Sequence, residues 1–204
     1  MTLKPFMLVA ALAAATAPAA IVGAEATDPG AAQIESLDNA LLETMKQAKS
    51  LGVEGRYRRL EPAIQASFDL PTMTRFAVGP KWTTLSPADQ AALTKAFTRL
   101  TVANSAKNFD GYSGERFTVD PEVQTRGPDK LVRSHILQPG DKPVDLTYRM
   151  RLAGDGRWKI IDVYYKGSIS ELAARRSDFA SSIDQGPQVL LQKIDALSNK
   201  LMRG

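Results

Sequence analysis

The chain has 204 residues, with 26 lysines and arginines against 22 acidic residues and no cysteine. A formal charge of +4 is too small and too scattered to argue for a nucleic-acid partner, although it suits an encounter with an anionic membrane surface. Lack of cysteine excludes disulfides, thiol chemistry and cysteine metal sites, so the fold must rest on its core.

Lys4 is the only charge ahead of an apolar run from Phe6 to Ala15, and small residues follow it. Val22-Gly23-Ala24 and Ala24-Glu25-Ala26 both offer a small-x-small cleavage pattern. The run is shorter than the roughly 20 residues that span a bilayer. Residues 1–24 therefore read as the signal peptide of an exported protein, cut after Ala24 or Ala26, with an uncleaved anchor as the alternative. Residues 25–204 are of a length that fits one domain with a real core.

Ile34, Leu37, Leu41, Met45 and Ala48 recur at helical spacing over residues 31–50, and Gly52 and Gly55 break the pattern. A second helix carries Tyr57, Leu60, Ile64 and Phe68 on one face, with Arg56, Arg58 and Arg59 turned outward. Pro71 opens a short helix through Met73 and Phe76, which Gly79-Pro80 ends. Ser86 then caps a longer helix, with Pro87 in its first position and Asp89 near its positive end. Leu93, Phe97, Leu100 and Asn104 form its stripe.

From Gly111 the apolar period falls to two. Strands are predicted near 115–125, 130–138, 143–153 and 157–166, with turns at Gly127-Pro128-Asp129, Pro139-Gly140-Asp141 and Gly154-Asp155-Gly156. Leu146, Tyr148, Met150 and Leu152 share one face, while Asp145, Thr147, Arg149 and Arg151 share the other. Such an antiparallel sheet has one wet side and one side covered by helices. Ser168 with Glu171 reads as a capping box for a helix whose buried face carries Ile169, Leu172, Arg176, Phe179 and Ile183. A last helix follows from Pro187 to Met202. The fold class is α+β, a four-stranded antiparallel sheet with helices laid on it.

Nothing in this order of residues assembles a catalytic site. His135 is the only histidine, and it falls in the middle of a predicted strand. The stretch Gly167-Ser168-Ile169-Ser170 lacks the second glycine of a nucleophile elbow, and no spaced carboxylates form a calcium loop. Asp145 and Asp162 are the best acid–base candidates, and salt bridging explains both. No cofactor or metal is expected.

Two stretches carry a family resemblance. "FDLPTMTRFAVGPKWTTLSPADQAALTKAFTRL" (68–100) and "WKIIDVYYKGSISELAARRSDF" (158–179) resemble the MlaC, or toluene-tolerance, family of soluble periplasmic lipid carriers. "FDLPTMTRFAVGP" and "ISELAARRSDF" are similar to its hopanoid-associated branch, HpnM. Phospholipid-carrying members have Tyr-Arg where this chain has Arg175-Arg176, so Arg176 matches the family's arginine and Arg175 departs from its aromatic.

The resemblance implies a cone of NTF2-like form with a deep cavity for acyl chains, no catalysis, a hopanoid or phospholipid ligand, a membrane transporter complex as partner, and a monomer. A non-carrier accessory subunit and a lipid-modifying enzyme stay open as alternatives. A carrier is physically needed, because exposing a 16-carbon chain to water costs about 13 kcal/mol at about 0.8 kcal/mol per methylene. By periodicity, Leu146, Tyr148 and Met150 of the sheet should line the cavity with Phe76, Phe97, Leu100 and Val163. A register slip would put Tyr164 in the place of Val163. Arg176 is expected to be buried and paired with Asp162, and Arg175 to face solvent.

Overall fold

A computed structural model describes residues 27–203; the predicted signal peptide lies outside them. Helix α1 (Pro29–Lys46) starts where the Asp28 carboxylate accepts the amide of Gly30 at 2.7 Å, with Pro29 in the first turn. Helix α2 (Ala48–Ser67) kinks at Gly52, whose φ of 60° only glycine adopts freely, whereas Gly55 stays helical and buried. Arg56 is a correction to the outward reading. It is buried, and its guanidinium donates to the carbonyls of Ala106 and, back across the Gly52 kink, of Ala48, tying two helices together.

Helix α3 (Leu70–Val78) ends at Gly79 and runs into a 3-10 turn, Gly79–Thr84. Helix α4 (Pro87–Asn108) begins as predicted: the Ser86 hydroxyl accepts the Asp89 amide at 3.1 Å and donates to its carboxylate at 2.7 Å. Helices α5 (Glu171–Asp184) and α6 (Pro187–Leu201) close the chain. Ser170, not Ser168, caps α5, accepting the Ala173 amide at 2.9 Å.

The sheet is antiparallel and has six strands, not four. They are β1 (Arg116–Val119), β2 (Gln124–Arg126), β3 (Asp129–Leu137), β4 (Val144–Leu152), β5 (Trp158–Tyr165) and β6 (Ile169–Ser170). The predicted first strand is split around Pro121, which has no N–H to donate. Both pieces, β1 and β2, pair with β3. The extra strand β6 pairs with the end of β5 across a tight turn in which Lys166 has φ 51°. Between β4 and β5 the register slips by one residue: Met150 faces Ile160 but Arg149 faces Asp162, leaving Ile161 as a bulge.

Helices cover one side of the sheet. Val132, Tyr148, Met150 and Ile160 join Ile34, Leu60, Leu93, Phe179 and Ile194 in one core. Among the described residues no helix is long and apolar enough to cross a membrane.

Candidate binding cavity

Toward the β3–β4 hairpin end the same two layers leave a hollow of about 580 Å³, within the roughly 300–1,000 Å³ usual for small-molecule sites. Its depth is apolar. Helix α1 contributes Leu37 and Leu41, α2 contributes Ile64, Phe68 follows the end of α2, and Met73, Phe97, Leu100 and Leu172 come from α3, α4 and α5. The sheet supplies Ile136, Val144, Leu146, Tyr148, Val163 and Tyr165. Polar side chains gather on the last turns of α4 and the first turn of α5: Thr101, Asn104, Ser105, Asn108, Glu171 and Arg175.

Five of the seven residues expected to line a cavity therefore meet in it: Phe97, Leu100, Leu146, Tyr148 and Val163. Met150 does not; it is 0 % exposed in the solid core, further along β4 from the hairpin. Phe76 does not either. It packs against the margin of the core, beside the guanidinium of Arg75. Val163 rather than Tyr164 faces the cavity because the Ile161 bulge resets the alternation of β5, which pairs Val163 with Tyr148 and Tyr164 with Thr147.

The two arginines exchange the roles expected of them. Arg175 lines the cavity mouth, with its side chain 27 % exposed and Asp178 at 3.6 Å. Arg176 is exposed and lies over Gly79, where an added Cβ would sit 3.0 Å from its Nε. Asp162 does not pair with Arg176. It accepts the Ser170 hydroxyl at 2.7 Å and the Leu172 amide at 3.1 Å, fixing the start of α5 to the sheet. With about 100° per residue, Arg175 and Arg176 lie about 60° and 40° to opposite sides of Leu172. Spacing alone cannot choose between them.

Beside the cavity wall α1 buries Asp38. Its Oδ2 accepts from Ser134 Oγ at 2.9 Å, while Oδ1 has no partner among the described residues. Burial, only partly offset by the Ser134 hydrogen bond, pushes this carboxyl up to about 7. Burial also pushes the phenol of Tyr148 far up, and the charge of Asp38 adds to it. On the other face of the sheet His135 is held between Asp145 at 2.8 Å and Asp120 at 3.0 Å, and those hydrogen bonds raise its pKa against the opposing effect of burial. No group of three or more histidines and carboxylates among the described residues is placed to hold a metal.

The match to a family model decides what this cavity belongs to: the model of the MlaC protein fits residues 35–202. The chain belongs to the MlaC family. A solved MlaC-like fold is that of a phospholipid-binding protein from Ralstonia solanacearum in complex with a phospholipid. It superposes with a TM-score of 0.73 at 21% identity, covering 84% of this chain and 98% of the other. No curated protein matches the chain. Membership in the MlaC family supports a lipid-binding protein, and the cavity is the part of this chain with the shape and lining for it.

Proposed function

We propose that this protein is a periplasmic carrier that shuttles a phospholipid or hopanoid between membranes without chemical change. In this reading the signal peptide is removed and residues 25–204 act as one monomeric lipid-binding domain that loads and unloads at a membrane transporter complex. The observation that carries the proposal is the gradient of the cavity, from leucine, isoleucine, phenylalanine and methionine in its depth to hydroxyls, amides, the Glu171 carboxylate and the Arg175 guanidinium at its mouth. Acyl chains gain about 0.8 kcal/mol per buried methylene in such a depth, while a head stays at the polar mouth.

Arg175 supports a phosphate-bearing head, since a guanidinium binds phosphate through two parallel charge-assisted hydrogen bonds. The phospholipid in the Ralstonia solanacearum structure supports the same class. The wording of residues 68–80 and 169–179 supports the hopanoid branch instead.

Native mass spectrometry of protein purified from its own host, followed by analysis of the extracted lipid, tests the proposal. A co-purifying phospholipid or hopanoid supports the carrier. A protein that is empty and takes up neither lipid when offered would overturn it and favour an accessory subunit.

A further inference from the structure

The uncovered face of the sheet has a charge pattern of its own. Strand register places Arg116, Arg126, Arg133, Arg149, Arg151 and Lys159 on that face, against Asp129, Asp145 and Asp162, with Asp120 reaching His135 there and Asp155 pairing with Lys159. The core residues of the strands (Val132, Tyr148, Met150 and Ile160) all project to the other side.

Asp129, Asp145, Asp162 and Asp120 are all engaged within the protein. Asp129, its side chain 2% exposed, holds both Arg149 and Arg151. Asp145 and Asp120 both bind His135, and Asp162 turns to Ser170 and the Leu172 amide. Arg116, Arg126 and Arg133 remain exposed, with no ion pair among the described residues. These three guanidinium groups lie on one broad surface, about 30 Å long along its nine-residue strands.

The chemistry of this face selects among partners. A stable protein interface centres on desolvated aromatic or aliphatic anchors. None of the exposed large apolar residues (Tyr112, Leu152, Tyr165, Ile169 and Val189) projects from this face. It offers instead a spread of guanidinium groups, which are weakly hydrated and match phosphate oxygens. We propose that the open face of the sheet docks on the surface of an anionic phospholipid bilayer by diffuse charge attraction, while the cavity lies on the opposite, helix-covered side of the sheet. Choosing a bilayer rests on the lipid-carrier reading; the positive face itself does not.

Co-flotation of the mature protein with phosphatidylcholine vesicles, with and without phosphatidylglycerol, tests this. The parent should float only with the phosphatidylglycerol vesicles at low salt and should be released as salt rises. Each cation near an anionic bilayer is worth about 1 kcal/mol, so combining Arg116→Glu, Arg126→Glu and Arg133→Glu should weaken partitioning at least about 100-fold. The triple variant should keep its melting temperature and its bound lipid, which separates this test from that of the carrier reading. A parent that ignores phosphatidylglycerol, or a triple variant that binds it equally well, would overturn the proposal. If the variant floats like the parent yet no longer exchanges lipid with the transporter complex, the face serves an acidic protein and the bilayer assignment falls.

Discussion

Leu146 and Met150 lie on the same strand and the same face, four residues apart, yet they belong to different regions. Around Met150 the layers are solid. Gly30 brings the start of α1 so close that an added Cβ would sit 3.5 Å from the Met150 sulfur, and Ile160 faces Met150 across β5. Around Leu146 the helices α4 and α5 do not fill the space, and their polar turns ring an opening. The solid end carries the stability of the fold, and the hollow end is held open at its expense. The same hydrophobic side chain thus has a different task according to its distance from the β3–β4 hairpin.

Substitutions can break or sharpen this contrast. The largest effect is expected at the solid end: Met150→Ala should cost about 2–5 kcal/mol in denaturant unfolding, through lost burial and the void left behind. Asp38 lies on α1 between the cavity residues Leu37 and Leu41. Its raised pKa means that the folded state keeps a proton which the unfolded chain has lost, so stability falls as pH climbs from about 4 to about 7 and is flat above. Asp38→Asn should therefore stabilise by about 2–4 kcal/mol at pH 8 and hardly at all at pH 4, as read from melts at the two pH values.

At the hollow end Leu146→Trp should fill empty space. Its unfolding free energy should change by less than about 1.5 kcal/mol while bound lipid is lost, as native mass spectrometry would show. The smallest effects belong to the arginine pair. Arg175→Ala should weaken retention of a phospholipid by about 1–3 kcal/mol with the melt unchanged. Arg176→Ala, on an exposed side chain, should stay within about 0.5 kcal/mol of the parent in both measurements.

Much of the architecture was legible because its causes are local. Ser86 and Pro87 mark the start of α4 by hydrogen bonding and a fixed φ, and period two in residues 144–152 gives the faces of β4. Asn104 continues the stripe of Leu93, Phe97 and Leu100, and the structure places it among the polar residues of the cavity. What stayed hidden depends on distances between elements. Met150 and Leu146 have the same periodicity, and what separates core from cavity is how closely other elements approach each of them, as α1 does at Gly30 beside Met150. The cavity walls Leu37, Leu41 and Ile64 were visible as helix stripes, but nothing in a stripe says whether it meets another side chain or a void. Arg175 and Arg176 flank one stripe, and the seat of α5 on Asp162 decides which turns inward. The split of the first strand could have been read from Pro121 alone.

The bulge at Ile161 sets the parity of everything downstream on β5. Were Ile161 kept but drawn into the ladder opposite Arg149, strict alternation from Ile160 onward would carry Asp162 and Tyr164 to the inner side and Val163 and Tyr165 to the outer. The wall opposite Tyr148 would then present a carboxylate where it now presents an isopropyl group, and α5 would lose its anchor. Deleting Ile161 has the opposite result, because Asp162 then follows Ile160 directly, stays opposite Arg149 and leaves Val163 opposite Tyr148. The cavity wall thus depends on the extra residue staying out of the ladder, so a shortened β5 keeps the cavity whereas a straightened one of full length destroys it.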